Sequence, residues 1–267
     1  MAKDYSFLKT VNDCATIILQ RAEQITATLP ASSTGITADQ FIACAIKDAN
    51  LLSAARVKDR GGDYRPFNTS SASAKATCLS SVLRCATMGL PPGDGYQFCF
   101  LIPRTLNNAD VVQVYMGYPG YLELGYASGY LADCSPGYAI VGEDITRWHD
   151  DDGEHLSHKI PIGRPPLTPD NLLCAYCTYK NRYGGKGNVV IEKHDILKLN
   201  KGDIWRMHFA AMVCKTAILR ASKTWRRTQE LTLAQRLDEQ FDSEVSQIEK
   251  DVKADETIDL SSFQQEQ

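Results

Sequence analysis

YQFCFLIPRTLNNADVVQVYMGYPG, residues 96–120, is where the chain changes period. Upstream, apolar residues recur at spacings of three and four; here they alternate. Tyr96–Pro103 and Val111–Met116 read as two strands joined by a turn around Asn107 and Asn108. In the second strand Val112, Val114 and Met116 share one face, and Val111, Gln113 and Tyr115 share the other. One face can pack on a core while the other offers Gln113 and Tyr115 outward. Gly117-Tyr-Pro-Gly120 then turns the chain into a short helix, Tyr121 to Ser128, closed by Gly129.

Working back from the hairpin, the first third reads as helix. Phe7, Val11, Cys14, Ile18, Ala22 and Ile25 form one apolar stripe, broken after Pro30. Thr37 is an N-cap for a helix through Phe41, Ile42, Ala45 and Ile46. A polar loop from Lys58 to Thr69 precedes a Ser-initiated helix through Ala76, Leu79, Val82, Leu83 and Ala86, which Gly89 stops. Working forward, strands are expected around Tyr138–Val141 and Leu172–Tyr179. The latter pairs with Val189–Ile191 across Asn181-Arg-Tyr-Gly-Gly-Lys-Gly-Asn188. From Asp203 the helical period returns: Met207, Ala211, Cys214, Ile218, Ala221 and Trp225 make a core-facing seam, with Arg220, Lys223 and Arg227 together on another face. Beyond it Phe241, Val245, Ile248 and Val252 fit one weak amphipathic helix, and the last dozen residues read as disordered.

The 267 residues, 43% hydrophobic and 23% charged, have the composition of a globular chain with ample core material, which excludes a collagen-like or wholly disordered protein. No apolar run approaches the roughly 20 residues that span a bilayer, and MAKDYSFLKT lacks a signal-peptide pattern. A soluble, intracellular protein is expected. Nine cysteines, odd in number and evenly spread, then read as reduced, mostly buried thiols. The single CxxC, Cys174 and Cys177, lies in a strand where positions three apart face opposite ways, which argues against zinc or redox chemistry.

The net charge of −3 is unevenly distributed. Residues 231–267 hold ten acidic and three basic residues, a net of −7, while residues 1–230 hold 26 basic against 22 acidic, a net of +4. The expected division is therefore a mildly basic body, 1–230, and an acidic, partly disordered tail, 231–267.

No phosphate loop is present: Gly184-Gly-Lys-Gly187 is followed by Asn188 and sits in a hairpin turn rather than between a strand and a helix. There is no GxSxG and no HExxH. The densest polar cluster, Trp148-His-Asp-Asp-Asp-Gly-Glu-His155-Leu-Ser-His158, offers carboxylates and imidazoles to a divalent metal, so a metal-dependent nuclease using His149 to His158 is an alternative function. A solvated hairpin loop is the commoner explanation of Asp-Asp-Gly. More telling are three groups that interleave cations, rings and amides. Lys180, Arg182, Tyr183 and Lys186 crowd one hairpin tip; Gln113, Tyr115, Tyr118 and Tyr121 lie on the outward strand face and the following turn; Lys215, Arg220, Lys223, Arg226 and Arg227 stud the last body helix. Cations grip phosphates and rings stack on bases, a pairing suited to single strands.

Cys85-Ala-Thr-Met-Gly-Leu-Pro-Pro92, then Leu101-Ile-Pro103, then Gln113-Val-Tyr-Met-Gly-Tyr-Pro-Gly120 resembles the core of the RecT family of phage single-strand annealing proteins. Asp144 with His158 resembles that family's D…H stretch. Trp205 through Lys223, with Met212-Val-Cys-Lys-Thr216, resembles its W…M-x-x-KT helix. Two departures stand out: Pro119 sits where the family usually has a basic residue, and Tyr126-Ala127 where it tends to have arginines.

The resemblance implies an α+β fold, a small antiparallel β-sheet with hairpins packed among helices, with N-terminal helices and a long basic C-terminal helix. It implies ATP-independent binding and annealing of single-stranded DNA by a ring or helical filament, with no catalytic residue, no resident metal and Mg²⁺ only as a modulator. The expected DNA-binding set is the one named above, without Tyr183 and with Trp205. Implied partners are single-stranded DNA, the duplex annealing intermediate and further copies of the chain, with a companion exonuclease and a host single-strand-binding protein reached through the tail. The implied setting is the bacterial cytoplasm or nucleoid, with a phage or prophage gene. A self-assembling structural protein without a nucleic-acid role is the third alternative.

Overall fold

The computed structural model describes residues 8–30, 35–59, 62–151, 153–200 and 202–240. The architecture is α+β, helices with small antiparallel sheets, as expected. The chain forms two compact units, one of residues 1–116 with 232–267 and one of residues 117–231.

The first unit opens with α1 (Asp13–Gln20), whose Asn12 side chain accepts the Ala15 N–H, and α2 (Ala22–Ala27). The single stripe expected from Phe7 to Ile25 is split at Arg21, where φ −108° and ψ 15° leave helical geometry; Phe7 lies outside the described residues. In α3 (Ala38–Leu51), Thr37 and Gln40 close a reciprocal capping box. Two three-residue strands, β1 (Arg56–Lys58), which ends where the polar loop was expected to begin, and β2 (Tyr64–Pro66) within that loop, are too short and polar to show an alternation. Helix α4 (Ala72–Met88) runs from the Ser71 cap to Gly89, at φ 68°.

The deciding hairpin is β3 (Cys99–Leu106) with β4 (Ala109–Met116), paired from Cys99 with Met116 to Leu106 with Ala109. Asn107 and Asn108 take the left-handed backbone, φ 49° and 63°. Two strands leave two open edges, and each is covered by side chains from a helix. On β3 the Asp48 carboxylate of α3 accepts the Leu101 N–H at 2.9 Å. On β4 the Val112 N–H donates to Thr77 and its carbonyl accepts from Ser81, both at 2.9 Å, from successive turns of α4. Val112, Val114 and Met116 are buried, as the alternation requires. Tyr115 is buried as well, at 8% exposure, so the face expected to point outward is largely closed. With α4 packed on β4, and α3 and β1 on β3, the ribbon is enclosed.

The second unit begins with α5 (Tyr118–Ala127), which starts three residues earlier than expected because Pro119 fits the first helical turn. The order continues β5 (Leu131–Ile140), β6 (Asp144–Asp150), β7 (Gly153–Lys159), β8 (Leu172–Asn181), β9 (Lys186–Glu192), α6 (Lys193–Leu199), α7 (Gly202–Met207) and α8 (Phe209–Ser222). Strands β5, β8 and β9 make one antiparallel sheet in that order, and β6–β7 form a separate hairpin inserted between β5 and β8. The β8–β9 pairing anticipated from sequence is present, with Ala175 opposite Ile191. The hairpin loop expected around Asp-Asp-Gly is present, and the paired strands β6 and β7 that flank it are an addition to the sequence reading.

The C-terminal helix also differs. His208, at φ −129° and ψ 41°, separates α7 from α8 and rotates the seam: Met207 is 65% exposed, while Val213, Ala217, Ile218 and Ala221 are buried. Because α8 ends at Ser222, Arg226 and Arg227 lie beyond the helix that was expected to carry them. Residues 229–240 form a further helix, α9, in which Leu231, Ala234, Leu237 and Asp238 are buried. The expected boundary after Glu230 falls inside it. The amphipathic helix through Phe241, Val245, Ile248 and Val252, and the disorder of the last dozen residues, concern positions outside the described ones.

Candidate nucleic-acid interface

Sheet β5-β8-β9 has two chemically different faces. On one, the Tyr179 ring lies edge-on to Trp225 at 6.1 Å, and its hydroxyl bonds Thr224 at 2.7 Å. Gly187 is opposite Tyr179, and a Cβ there would fall 2.4 Å from the ring, so only glycine fits. On the other face the rows are polar: Lys186 is directly opposite Lys180, Asn188 opposite Thr178, and Asp133 of β5 lies beside Lys180.

The β8–β9 tip is held by local bonds. Asn181 Oδ1 accepts the N–H groups of Tyr183 and Gly185, both at 2.9 Å, and Gly184 takes φ 87°. Arg182 ties the tip back to β5, donating its main-chain N–H to Tyr130 O at 2.9 Å and Nε to Leu131 O at 3.3 Å. Lys180, Arg182 and Lys186 are exposed on this pre-shaped tip.

Of the remaining sequence-predicted residues, Arg220, Lys223, Arg226 and Arg227 are exposed in one short stretch, at the end of α8 and in the connection to α9. Lys215 is not a surface cation, being buried at 6% exposure on α8. Tyr121, expected to face outward, is fully buried, and Trp205 is buried against Phe209, with ring centroids 6.1 Å apart. Both lie in short helices, α5 and α7, where burying a large ring gains more apolar area than exposing it. Tyr118 and Gln113 are half-buried. Gln113 and Tyr115 belong to the first unit, the other named residues to the second.

The acidic and histidine cluster resolves into pairs. Arg147 forks Glu154 with bonds of 2.8 and 2.7 Å, His155 Nε2 lies 2.8 Å from Asp150, and Lys159 bonds Asp144 at 2.9 Å. His158 points the other way, into the unit, bonded through Nδ1 to the Tyr176 hydroxyl at 2.9 Å and through Nε2 to Glu143 at 3.2 Å. Burial would raise the Glu143 carboxyl, but the Ile140 N–H, Arg164 and His158 together hold it below its ordinary value. Asp144 and His158, the two residues of the D…H resemblance, sit at neighbouring positions of the β6–β7 ladder but differ in setting: the Asp144 side chain is exposed and the His158 ring buried. Among the described residues no group of three or more His, Cys, Asp or Glu is disposed to hold a metal ion.

The same hairpin contains what sequence reasoning passed over. Trp148 of β6 and His155 of β7 are cross-strand partners, stacked with centroids 5.0 Å apart and planes within 9°. They line an open cleft of about 240 Å³ together with Lys180, Lys186 and Asn188. The available signal was an aromatic residue inside a wholly polar run.

Compared with known proteins, residues 68–254 match the model described as RecT family, more than half of the chain. No curated protein matches the sequence.

Proposed function

Since the chain belongs to the RecT family, a family of phage single-strand annealing proteins, we propose that it binds single-stranded DNA and pairs complementary strands without ATP, working as a ring or helical filament. The family match over residues 68–254 carries this reading. The exposed cations Lys180, Arg182, Lys186, Arg220, Lys223, Arg226 and Arg227 supply phosphate contacts. Gln113 and Tyr118 contact DNA from half-buried positions. Tyr115, Tyr121, Trp205 and Lys215 shape the elements that carry these groups.

Annealing needs no nucleotide motor, because stacking in the new duplex releases about 1.4 kcal/mol per step. The protein has only to hold strands extended with their base edges free. A body of net +4 suffices in an assembly, since each copy neutralises a few phosphates and the filament sums them. The acidic stretch 231–267 serves protein partners, a companion exonuclease and a host single-strand-binding protein, in a bacterial cell carrying the phage or prophage. Among the described residues no helix is long and apolar enough to cross a membrane.

Mixing the purified protein with two labelled complementary oligonucleotides, with and without ATP and Mg²⁺, tests the proposal. Duplex formation in the absence of ATP with strands of unchanged length is expected. A requirement for ATP, or strands shortened in Mg²⁺, overturns it, the latter in favour of the nuclease alternative.

A further inference from the structure

The geometry points to a nucleobase site in the second unit, between the β6–β7 hairpin and the polar face of the β5-β8-β9 sheet. One base of a DNA strand stacks on the Trp148–His155 ring pair while Lys180 and Lys186 hold the adjoining phosphate. This rests on the single-strand-binding reading and deepens it, locating a base contact on a ring pair beside the tip cations.

The first support is the exposure of Trp148. The chain has three tryptophans. Trp205 and Trp225 are 8% and 3% exposed and belong to the core; Trp148 is 44% exposed. An indole on a polar hairpin adds little to folding, yet this one is held in a fixed plane. His155 covers one face of it, and Asp150 anchors His155 through Nε2 at 2.8 Å. The pair is a flat shelf with an outer face available for a third ring.

The second support is electrostatic. Lys180 and Lys186 face each other directly across β8–β9, a like-charge pair that weakens a sheet. Neither is bonded to a carboxylate among the described residues. Asp133 is the acidic neighbour on the sheet, and Glu154, also at the cleft, is already occupied by the Arg147 fork. An anion between the two ammonium groups relieves their repulsion, which is the role of a phosphate.

The third is rigidity. The Asn188 amide donates to the Glu154 main-chain oxygen at 2.8 Å and fixes the hairpin wall against β9. That bond also sets the orientation of the amide, leaving Asn188 Oδ1 buried without a partner. At about 240 Å³ the cleft lies below the roughly 300–1,000 Å³ of drug-sized sites and suits a single base. Stacking accepts any base, as an annealing protein requires.

Trp148 is its own reporter. Titrating the full-length protein with an oligothymidylate should quench intrinsic fluorescence, while a fully abasic oligonucleotide of equal length should not. Trp148→Phe should abolish the quenching but keep affinity within about threefold, since a ring remains to stack. Trp148→Ala should lower affinity roughly 5- to 100-fold in an independent anisotropy assay, the range of one lost stack. Circular dichroism of each variant establishes that it is folded, and Lys180→Ser with Lys186→Ser should weaken binding while leaving the remaining quenching base-dependent. If wild type binds DNA by anisotropy and Trp148→Ala binds equally well, the base site is wrong and the annealing proposal survives. If wild type does not bind DNA at all, the annealing proposal fails first. A Trp148→Ala variant that changes assembly size with unaltered DNA affinity also overturns the base site, in favour of a contact between copies.

Discussion

The β3–β4 and β6–β7 hairpins are both antiparallel, of similar length and closed by short turns, yet they are held by opposite means. The first alternates apolar residues, buries Leu101, Val112, Val114 and Met116, and has its two edges satisfied by Asp48, Thr77 and Ser81. The second is exposed along most of β6 and pairs its strands through Arg147 with Glu154, Lys159 with Asp144, and stacked Trp148 and His155. One hairpin is a piece of core, and its ion pair ties the buried Asp110 to Arg65 of β2, whose side chain is 36% exposed. The other lies at the surface, and both partners of its ion pairs face water. A hairpin that contributes little burial is free to vary its side chains for binding.

The largest expected effect removes the buried carboxylate of the first hairpin. Asp110 is 5% exposed and accepts both ends of the Arg65 fork and the Asn68 N–H at 2.8 Å. The Arg65 fork holds its carboxyl below the ordinary value. Asp110→Ala should cost about 2 kcal/mol, read as a drop in denaturant midpoint with unchanged slope, because it removes the buried acceptor of the Asn68 N–H and of the Arg65 fork, while water still reaches the half-exposed guanidinium. A loss below about 1 kcal/mol would place this pair in the same class as those on β6–β7 and dissolve the contrast.

This contrast also explains what the sequence could reveal. Alternation is a record of burial, so β3–β4, β8 and β9 were visible and β6–β7 was not. The caps at Thr37, Ser71 and Gly89 were visible because they depend on local chemistry. The break at His208 was hidden: the seven-residue spacing from Met207 to Cys214 fits an unbroken helix, and only tertiary packing reveals the rotation. Among site residues, exposed cations at the β8–β9 tip were readable from turn chemistry. Burial of Tyr115, Tyr121, Trp205 and Lys215 was not, since residue type alone does not decide whether a ring faces core or solvent. Trp148 was passed over for the converse reason, a ring in a polar run having no periodic neighbours.

A smaller effect sharpens the cost of the buried edge. Burial pushes the Asp48 carboxyl up to about 6, against the lowering influence of the Leu101 N–H. Because the folded value exceeds the unfolded one, the fold binds more protons between about pH 4 and pH 6. Its stabilising contribution is complete below about pH 4 and lost as pH rises through 6, worth about 2–3 kcal/mol. Asp48→Asn keeps an acceptor for Leu101 without the charge. It should be about 2 kcal/mol more stable than wild type at pH 7 and flatter between pH 4 and 6, measured by denaturant titration at several pH values. A variant less stable at pH 7 would mean that the charge itself is needed at this edge.

The smallest effect belongs to β6–β7. The Arg147 and Glu154 side chains are 49% and 44% exposed, so their fork, though well formed, is screened by water and salt. Arg147→Ala should melt close to wild type, with any difference vanishing in high salt. Its consequence should appear in binding. Without the guanidinium, Glu154 becomes an uncompensated negative charge at the cleft it lines with Lys180 and Lys186, so on the proposed base site single-strand affinity should fall more at low salt than at high. Arg147→Ala with Glu154→Gln removes both charges and should restore it. Thermal melting and DNA titration of the single and double variants measure the two quantities separately. If Arg147→Ala melts as early as Asp110→Ala, this hairpin is a stability element like β3–β4. If it melts like wild type and binds DNA less tightly, with rescue in the double variant, the same secondary structure is serving two purposes in one chain.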